Sequence, residues 1–451
     1  MTDRARLARW LALAARLTFA LLIVILPFRA RADVLPHPAS SVPAVLSDLV
    51  IYVVDVLGLA TLALWLLARV FARRPIDPGP RLLRLPVLVL VGLAWATIPS
   101  GIEPAVSVAG AIRLTLGAAL ALYVLNEVEG LGSVAVPLGL MLALQAAVAI
   151  GQAATGGPVG LPWLGELDLD PTVAGTSVVT TADGTRVLRA YGLSTHPNVL
   201  GGILACGVVL LMGAITGSTT TSRRARLAQA GVVALAAAAL LVTFSRGAWL
   251  GGLAGLAVGL AMLVLGGARL PARRWLVTAG LVLAVFAAAG WPARDSLMAR
   301  TGLAPVVTPT EQRSIDERLE QIRLGWRVVQ ERPITGAGAS ALPIAMRALE
   351  PDFPYSFYAP HLVVLAVAGE LGIAGGLAYA WLVAAPWLLL ARHRPRLTAE
   401  LAAASAALAV LTVVSLFDDY PWVGGPGRTL GWLVIGLWAM AWRRSLVPSG
   451  R

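Results

Sequence analysis

Apolar runs of about 17–25 residues recur along the whole chain, broken by short polar connections. That length carries an α-helix across a ~30 Å hydrocarbon core. Twelve spans fit the pattern: 10–28, 47–71, 86–100, 104–125, 134–153, 198–216, 228–245, 247–266, 275–291, 366–391, 398–416 and 429–443. The fold expected is all-α, a polytopic membrane protein of about twelve transmembrane helices, with residues 1–451 as a single membrane domain. Residues 292–360 break the alternation between the ninth and tenth spans. They are too long for a plain linker, so this large outward loop is expected to hold helical structure. In "SIDERLEQIRLGWRVVQERP", Ile315, Leu319, Ile322, Trp326 and Val329 recur at helical spacing beside arginines. One apolar stripe predicts a helix lying on the membrane or on the bundle, ended by Pro333 and "TGAG".

Composition sharpens the picture. The chain has 451 residues, 58% hydrophobic and 13% charged, with a mean hydropathy of +0.78. A soluble domain of this size cannot bury that much apolar surface. The net charge of +12 comes entirely from arginine as the cation. In a membrane protein, cationic cytoplasmic loops explain such a charge better than nucleic-acid binding does. Arginines cluster in alternate connections: "TDRARLAR" at the start, "ARRPIDPGPRLLR" at 72–84, "TSRRAR" at 221–226, "ARLPARR" at 268–274, "ARHRPR" at 391–396 and "RR" at 443–444. Only "NEVEG" at 126–130 breaks the series. Both termini are therefore expected in the cytoplasm. The N-terminal segment resembles a signal peptide, but Arg16 interrupts its apolar stretch, so it reads as an uncleaved first span. The single cysteine, Cys206, lies in an apolar run and reads as a small hydrophobe.

The chemistry collects at the opposite, outward side. Arg189, His196 and Asn198, in "RVLRAYGLSTHPNVLGG", sit at the outer end of the sixth span. Arg246, in "TFSRGAWLG", occupies the turn between the seventh and eighth. His361 opens the tenth, with Glu370 farther in, and Asp418 and Asp419 follow the eleventh. Asp55 and Arg113 read as an intramembrane ion pair. An arginine at mid-bilayer costs about 2.5–3.5 kcal/mol, so such residues face a cavity or a partner. The planar guanidinium matches diphosphate oxygens. A histidine that titrates near neutrality can accept a hydroxyl proton. Taken singly, Arg189 is also a headgroup anchor, Arg246 and Asn198 helix caps, and Asp418 a loop charge. Taken together they suit group transfer from a lipid-diphosphate donor, with His361 as base and Arg189, Arg246, His196, Asn198 and Asp418 as substrate-binding candidates. The chain has no His-x-x-x-His, no cysteine pair and no phosphate-binding Gly-Lys-Ser/Thr loop, so neither a metal site nor a cofactor is expected. The alternative class is a transporter or flippase for lipid-linked or anionic substrates. Transporters usually gather their binding groups near the midplane between repeats, whereas these gather at the outer ends.

"RAYGLSTHPNVLGGIL", "TFSRGAWLGG", "ERPITGAG" and "PHLVVLAVAGELGIAGG", in that order over roughly residues 186–380, resemble the O-antigen ligase and O-antigen polymerase superfamily. The resemblance implies an inverting, metal-independent glycosyltransferase with a GT-C-like membrane fold in the bacterial cytoplasmic membrane, its active site facing the periplasm or exterior. Its donor would be a glycan on undecaprenyl diphosphate, and its acceptor a hydroxyl of a glycan or lipid-glycan. By motif position, Arg189 and Arg246 match the family's diphosphate-binding arginines and His361 its catalytic histidine. The family often has asparagine directly after that histidine, where this chain has Leu362. The motifs do not separate ligase from polymerase. Trp163, Trp326, Tyr355 and Tyr358 are candidate sugar-stacking surfaces.

Overall fold

The computed structural model describes residues 3–35, 42–43, 49–217, 222–301 and 309–446. Helix follows the apolar pattern. In chain order the helices are α1 (Asp3–Ile25), α2 (Val53–Ala72), α3 (Arg81–Ala96), α4 (Pro104–Glu127), α5 (Leu131–Thr155), α6 (Pro197–Gly217), α7 (Arg223–Val242), α8 (Arg246–Leu265) and α9 (Arg269–Gly290). Then come α10 (Arg294–Thr301), α11 (Pro309–Glu331), α12 (Leu342–Leu349), α13 (Val363–His393), α14 (Ala399–Val414) and α15 (Gly425–Ser445). Each of the twelve expected spans overlaps one of these helices. Nine of them, α1, α2, α4 to α9 and α13, are long and apolar enough to cross a membrane. Helices α3 and α14 have 16 residues each, about 24 Å at 1.5 Å per residue and short of a full hydrocarbon core. Helix α15 is diluted by Arg428, Arg443 and Arg444.

Two small antiparallel hairpins interrupt the helices, β1 (Arg31–Leu35) with β2 (Leu49–Tyr52), and β3 (Val178–Thr180) with β4 (Arg186–Leu188). The first corrects the expected start of the second span. Residues 49–52 are strand, and α2 begins at Val53. The Asp55 carboxylate accepts from the Tyr52 backbone N–H at 3.1 Å, a helix-start role. Arg113 donates to the Val50 carbonyl, tying the hairpin to α4. The expected Asp55–Arg113 ion pair is therefore not formed among the described residues; backbone groups satisfy both side chains.

Helix α6 is the axis of the bundle. It is buried from Pro197 through Thr216, Cys206 included. A helix apolar on every side suits a position wrapped by other helices. Its first residue opens the end of the bundle where α7 and α14 end and α8, α13 and α15 begin.

Helix α13 is broken inside the motif "GELGIAGG", which the apolar pattern reads as part of a plain span. Gly372 has φ 75 and ψ 175, and the helix kinks there. "PITGAG" fills the break: Ala337 N–H donates to Gly369 O at 2.8 Å, Gly338 N–H to Glu370 O at 2.9 Å, and Ile373 N–H to Pro333 O at 2.8 Å. These bonds take up backbone groups that the kink frees from the helical ladder. The fit is close at backbone level, since a β-carbon on Gly372 would lie 2.2 Å from Ile334 O and one on Gly336 2.4 Å from the Glu370 carbonyl carbon. "ERPITGAG" and "GELGIAGG" are thus two halves of one structural unit. Gly372→Ala adds both that clash and a left-handed φ, so it is expected to destabilise by about 1–3 kcal/mol or more. Thermal melting of the detergent-solubilised protein checks this, and an unchanged midpoint would contradict the account.

The 292–360 loop holds α10, α11 and α12, and the apolar stripe of α11 is split between a packed and an exposed face. Ile315, Leu319 and Trp326 are exposed, at 39%, 59% and 53%. The packed face is Gln321, Leu324, Gly325, Val328 and Val329. Gly325 sets that face, because it lets Pro360 approach to where a β-carbon would be 2.3 Å away. Arg323 and Arg327 both pair with Glu350, beside the same face.

Candidate functional site

Several connections weave together at the start of α6. The loop carrying Arg189 lies across the end of α7: Ala190 N–H donates to Val242 O at 2.9 Å and Arg189 Nε to Thr243 O at 2.9 Å. Arg300, from α10, donates its Nε to Phe244 O at 2.9 Å. The three carbonyls left open at the end of α7 are thereby filled, two of them by arginines, the cation that a helix C-terminus favours. Phe244 adopts φ 48 in this tight turn. Arg246 opens α8 directly after it and donates to Arg300 O at 3.3 Å.

From below, α5 supports the Arg189 loop through two glutamines, both fully buried. Gln152 Oε1 accepts from Tyr191 N–H (3.0 Å) and Gly192 N–H (2.8 Å), and its Nε2 donates to Gly192 O and to Glu166, each at 2.9 Å. Gln145 Oε1 accepts from Leu193 N–H at 2.9 Å. Seven residues apart, the two share one helix face, which is the signal in the sequence that could have found them.

A continuous polar chain then runs from Arg189 to His361. Arg189 donates to Asn198 Oδ1. Asn198 Nδ2 donates to Asp418 Oδ2 at 2.6 Å. The other oxygen of Asp418 lies 3.4 Å from His361 Nδ1, and Asp419 Oδ1 lies 3.8 Å from the same nitrogen. Burial works to lower the His361 pKa, but the two carboxylates outweigh it and raise it above the ordinary value. For Asp418, burial works upward, and the pairing with His361 outweighs it and holds the carboxyl below its usual range. Asp419 is pushed up, by burial first and by the Asp418 charge as well. Of two adjacent buried acids, one thus stays ionised and the other readily holds a proton.

His196 is occupied differently. Its Nδ1 accepts from Asn198 N–H at 3.1 Å, so the proton sits on Nε2, which faces Ser177 Oγ at 3.0 Å. Burial, then the Arg189 charge, lower its pKa to about 3. Both ring nitrogens of this neutral histidine are engaged in holding the loop.

Two further arginines gather here that the sequence did not single out. Arg300 is 7% exposed. Arg318, on α11, donates to Phe417 O at 3.4 Å and adds positive charge around His361, Asp418 and Arg189. The start of α8 is close by, since a β-carbon on Gly247 would lie 3.6 Å from Phe417 Cβ. For Arg189, burial and the Arg300 charge both oppose the cation, although a guanidinium stays protonated. Like charges held together in this way are relieved by an anion.

His361, Asp418 and Asp419 also place three potential metal-ligand atoms within 4.8 Å of one another. The sequence, read for local ligand spacing, gave no sign of this trio. Glu370 lies deeper, at the α13 break, where it accepts from Trp422 Nε1 at 3.0 Å. Of the aromatic candidates, Tyr358 is 40% and Trp163 76% exposed, and Tyr358 feels the Asp419 charge.

Arg189, His196, Asn198, His361 and Asp418 thus belong to one network, with Arg246 on the adjoining turn. No curated protein matches the chain. Residues 231–380, about a third of the chain and including Arg246 and His361, match the family model described as O-antigen ligase, which supports the resemblance to the O-antigen ligase and polymerase superfamily.

Proposed function

We propose that the protein transfers a glycan from an undecaprenyl-diphosphate carrier to an acceptor hydroxyl at the outer face of the bacterial cytoplasmic membrane, with inversion and without a metal ion. The observation that carries this reading is the gathering of Arg189, Arg246, Arg300 and Arg318 beside a histidine that faces a carboxylate. Arg189 and Arg246 hold the diphosphate and stabilise the charge that grows on it as the glycosidic bond breaks. His361 takes the acceptor proton on Nε2. Asp418 faces Nδ1, orients the ring and stabilises the imidazolium that forms. This carboxylate does the orienting that an asparagine in place of Leu362 would otherwise do. Asp418 and Asn198 therefore act through Arg189 and His361, and His196 acts through Asn198.

A base works in its neutral form, so the transfer rate rises with pH through the raised His361 pKa. Asp418→Asn removes the nearer carboxylate. The rising limb should move to lower pH, and the plateau should fall because the base is weaker and less well aimed. Rate–pH profiles of the two proteins, with a chelator present, test this. An unmoved limb would remove the pairing from the mechanism, and loss of wild-type activity on chelation would make the trio a metal site instead.

Sidedness rests on the arginine-rich connections. Cysteines at Arg223 and Arg273 should be shielded from an impermeant thiol reagent in intact cells, and cysteines at Asp183 and Glu317 labelled, in a Cys206→Ala background. The reverse pattern would place the site on the cytoplasmic face.

A further inference from the structure

Far from this site, α3, α4 and α15 leave an open groove of about 320 Å³ between them. It starts at Pro78–Pro80, beside the arginine-rich 72–84 connection, and ends near Thr115 and Trp432. Along α4 it runs from Thr115 to Leu125, ten residues or about 15 Å. That is half of a ~30 Å hydrocarbon core, the depth of one leaflet. The walls are carbon: Val87 on α3, Ala118 and Leu125 on α4, Ile435 on α15. At the deep end the hydroxyl of Thr115 is already used, donating to Ala111 O at 2.8 Å and accepting from Trp95 Nε1 at 3.0 Å. That hydroxyl is therefore not offered to an occupant. The shallow end carries one charge, Arg84, which is half-buried, lines the groove and has no side-chain partner among the described residues.

We infer that this groove holds one acyl chain of an anionic phospholipid from the leaflet on the side of the 72–84 connection, with the lipid phosphate on Arg84. Length, apolar walls and a single cation at the headgroup level point to one lipid in one orientation. Arginine at that depth selects for negative headgroups. A chain seated there fills the gap between α3 and α15 that neither helix closes, both being at the margin of what can span a bilayer alone. The inference stands apart from the proposed glycan transfer, since the groove opens at the end of the bundle away from His361.

Native mass spectrometry of the full-length protein tests it, after exposure in mild detergent to equal amounts of phosphatidylglycerol and phosphatidylethanolamine. The wild type should retain phosphatidylglycerol about fivefold over phosphatidylethanolamine. Arg84→Gln should keep a lipid adduct but lose the preference. Ala118→Trp fills the groove and should lose the adduct, and Ala439→Phe, which fills it from α15, should do the same if the first variant fails to fold. Equal adducts in the wild type and a folded groove-filling variant would overturn the inference. So would a wild type without headgroup preference, or a polyprenyl phosphate retained there in place of a phospholipid.

Discussion

His361→Ala is expected to lower glycan transfer about 10²–10⁴-fold, the usual contribution of a positioned general base, while the protein still captures lipid-linked donor. The ring stands just before α13, whose first residue is tied to the end of α14 by Val363 N–H donating to Ser415 O at 2.9 Å, and its buried Nδ1 lies 3.4 Å from Asp418 and 3.8 Å from Asp419. In the proposed transfer Nε2 is assigned to the acceptor. Removing the ring takes away a proton acceptor and none of the arginines, so turnover suffers and donor affinity does not. Single-turnover transfer and equilibrium donor binding, measured on the same preparation, separate the two. Wild-type turnover in His361→Ala across roughly pH 6–8 would move the base elsewhere, with Asp418, Asp419 and Glu370 the carboxyl groups to examine next.

The arginines should show the opposite split. Arg189→Ala removes a guanidinium from a buried site and leaves Asn198 and the Thr243 carbonyl without its bonds. Donor affinity is expected to fall by about 2–5 kcal/mol, roughly thirtyfold to several thousandfold. Arg246→Lys keeps the charge and loses the planar fork, so it should be nearly as damaging as Arg246→Ala. Arg246 sits on an exterior turn and both variants should melt as the wild type does. Donor binding by titration, with melting as a control, reads this out. Full affinity in the lysine variant would reduce Arg246 to bulk charge and remove the bidentate contact.

What was legible in the sequence follows from the range of each signal. Periodicity and run length are local, so every expected span overlaps a helix. The failures came where a distant partner decides. The packed side of α11 depends on Gly325 meeting Pro360, which the stripe alone does not reveal: Val329 packs there, while Ile315, Leu319 and Trp326 stay exposed. Residues 49–52 read as the start of a span because strand pairing with 31–35 leaves no mark in apolar character. At the site, Arg189, Arg246 and His361 stood out because charges flanking an apolar run are conspicuous. Arg300 and Arg318 did not, since on helices outside the apolar runs they look like ordinary solvated cations. The use of Asp418 as the partner of His361 joins two connections separated by the whole of α13 and α14, which no spacing rule reaches. The motif "PITGAG" was visible as a helix stop, but its second use, filling the break at Gly372, needed the fold.

The central claim is that the arginine cluster and His361 transfer a glycan off a lipid diphosphate. The most direct test reconstitutes the purified protein with undecaprenyl-diphosphate glycan and a candidate acceptor, then follows both products. The account predicts one free undecaprenyl diphosphate per new glycosidic bond, with the anomeric configuration inverted. Movement of intact lipid-linked glycan between leaflets with no bond formed, or a product that retains the donor's configuration, would contradict it.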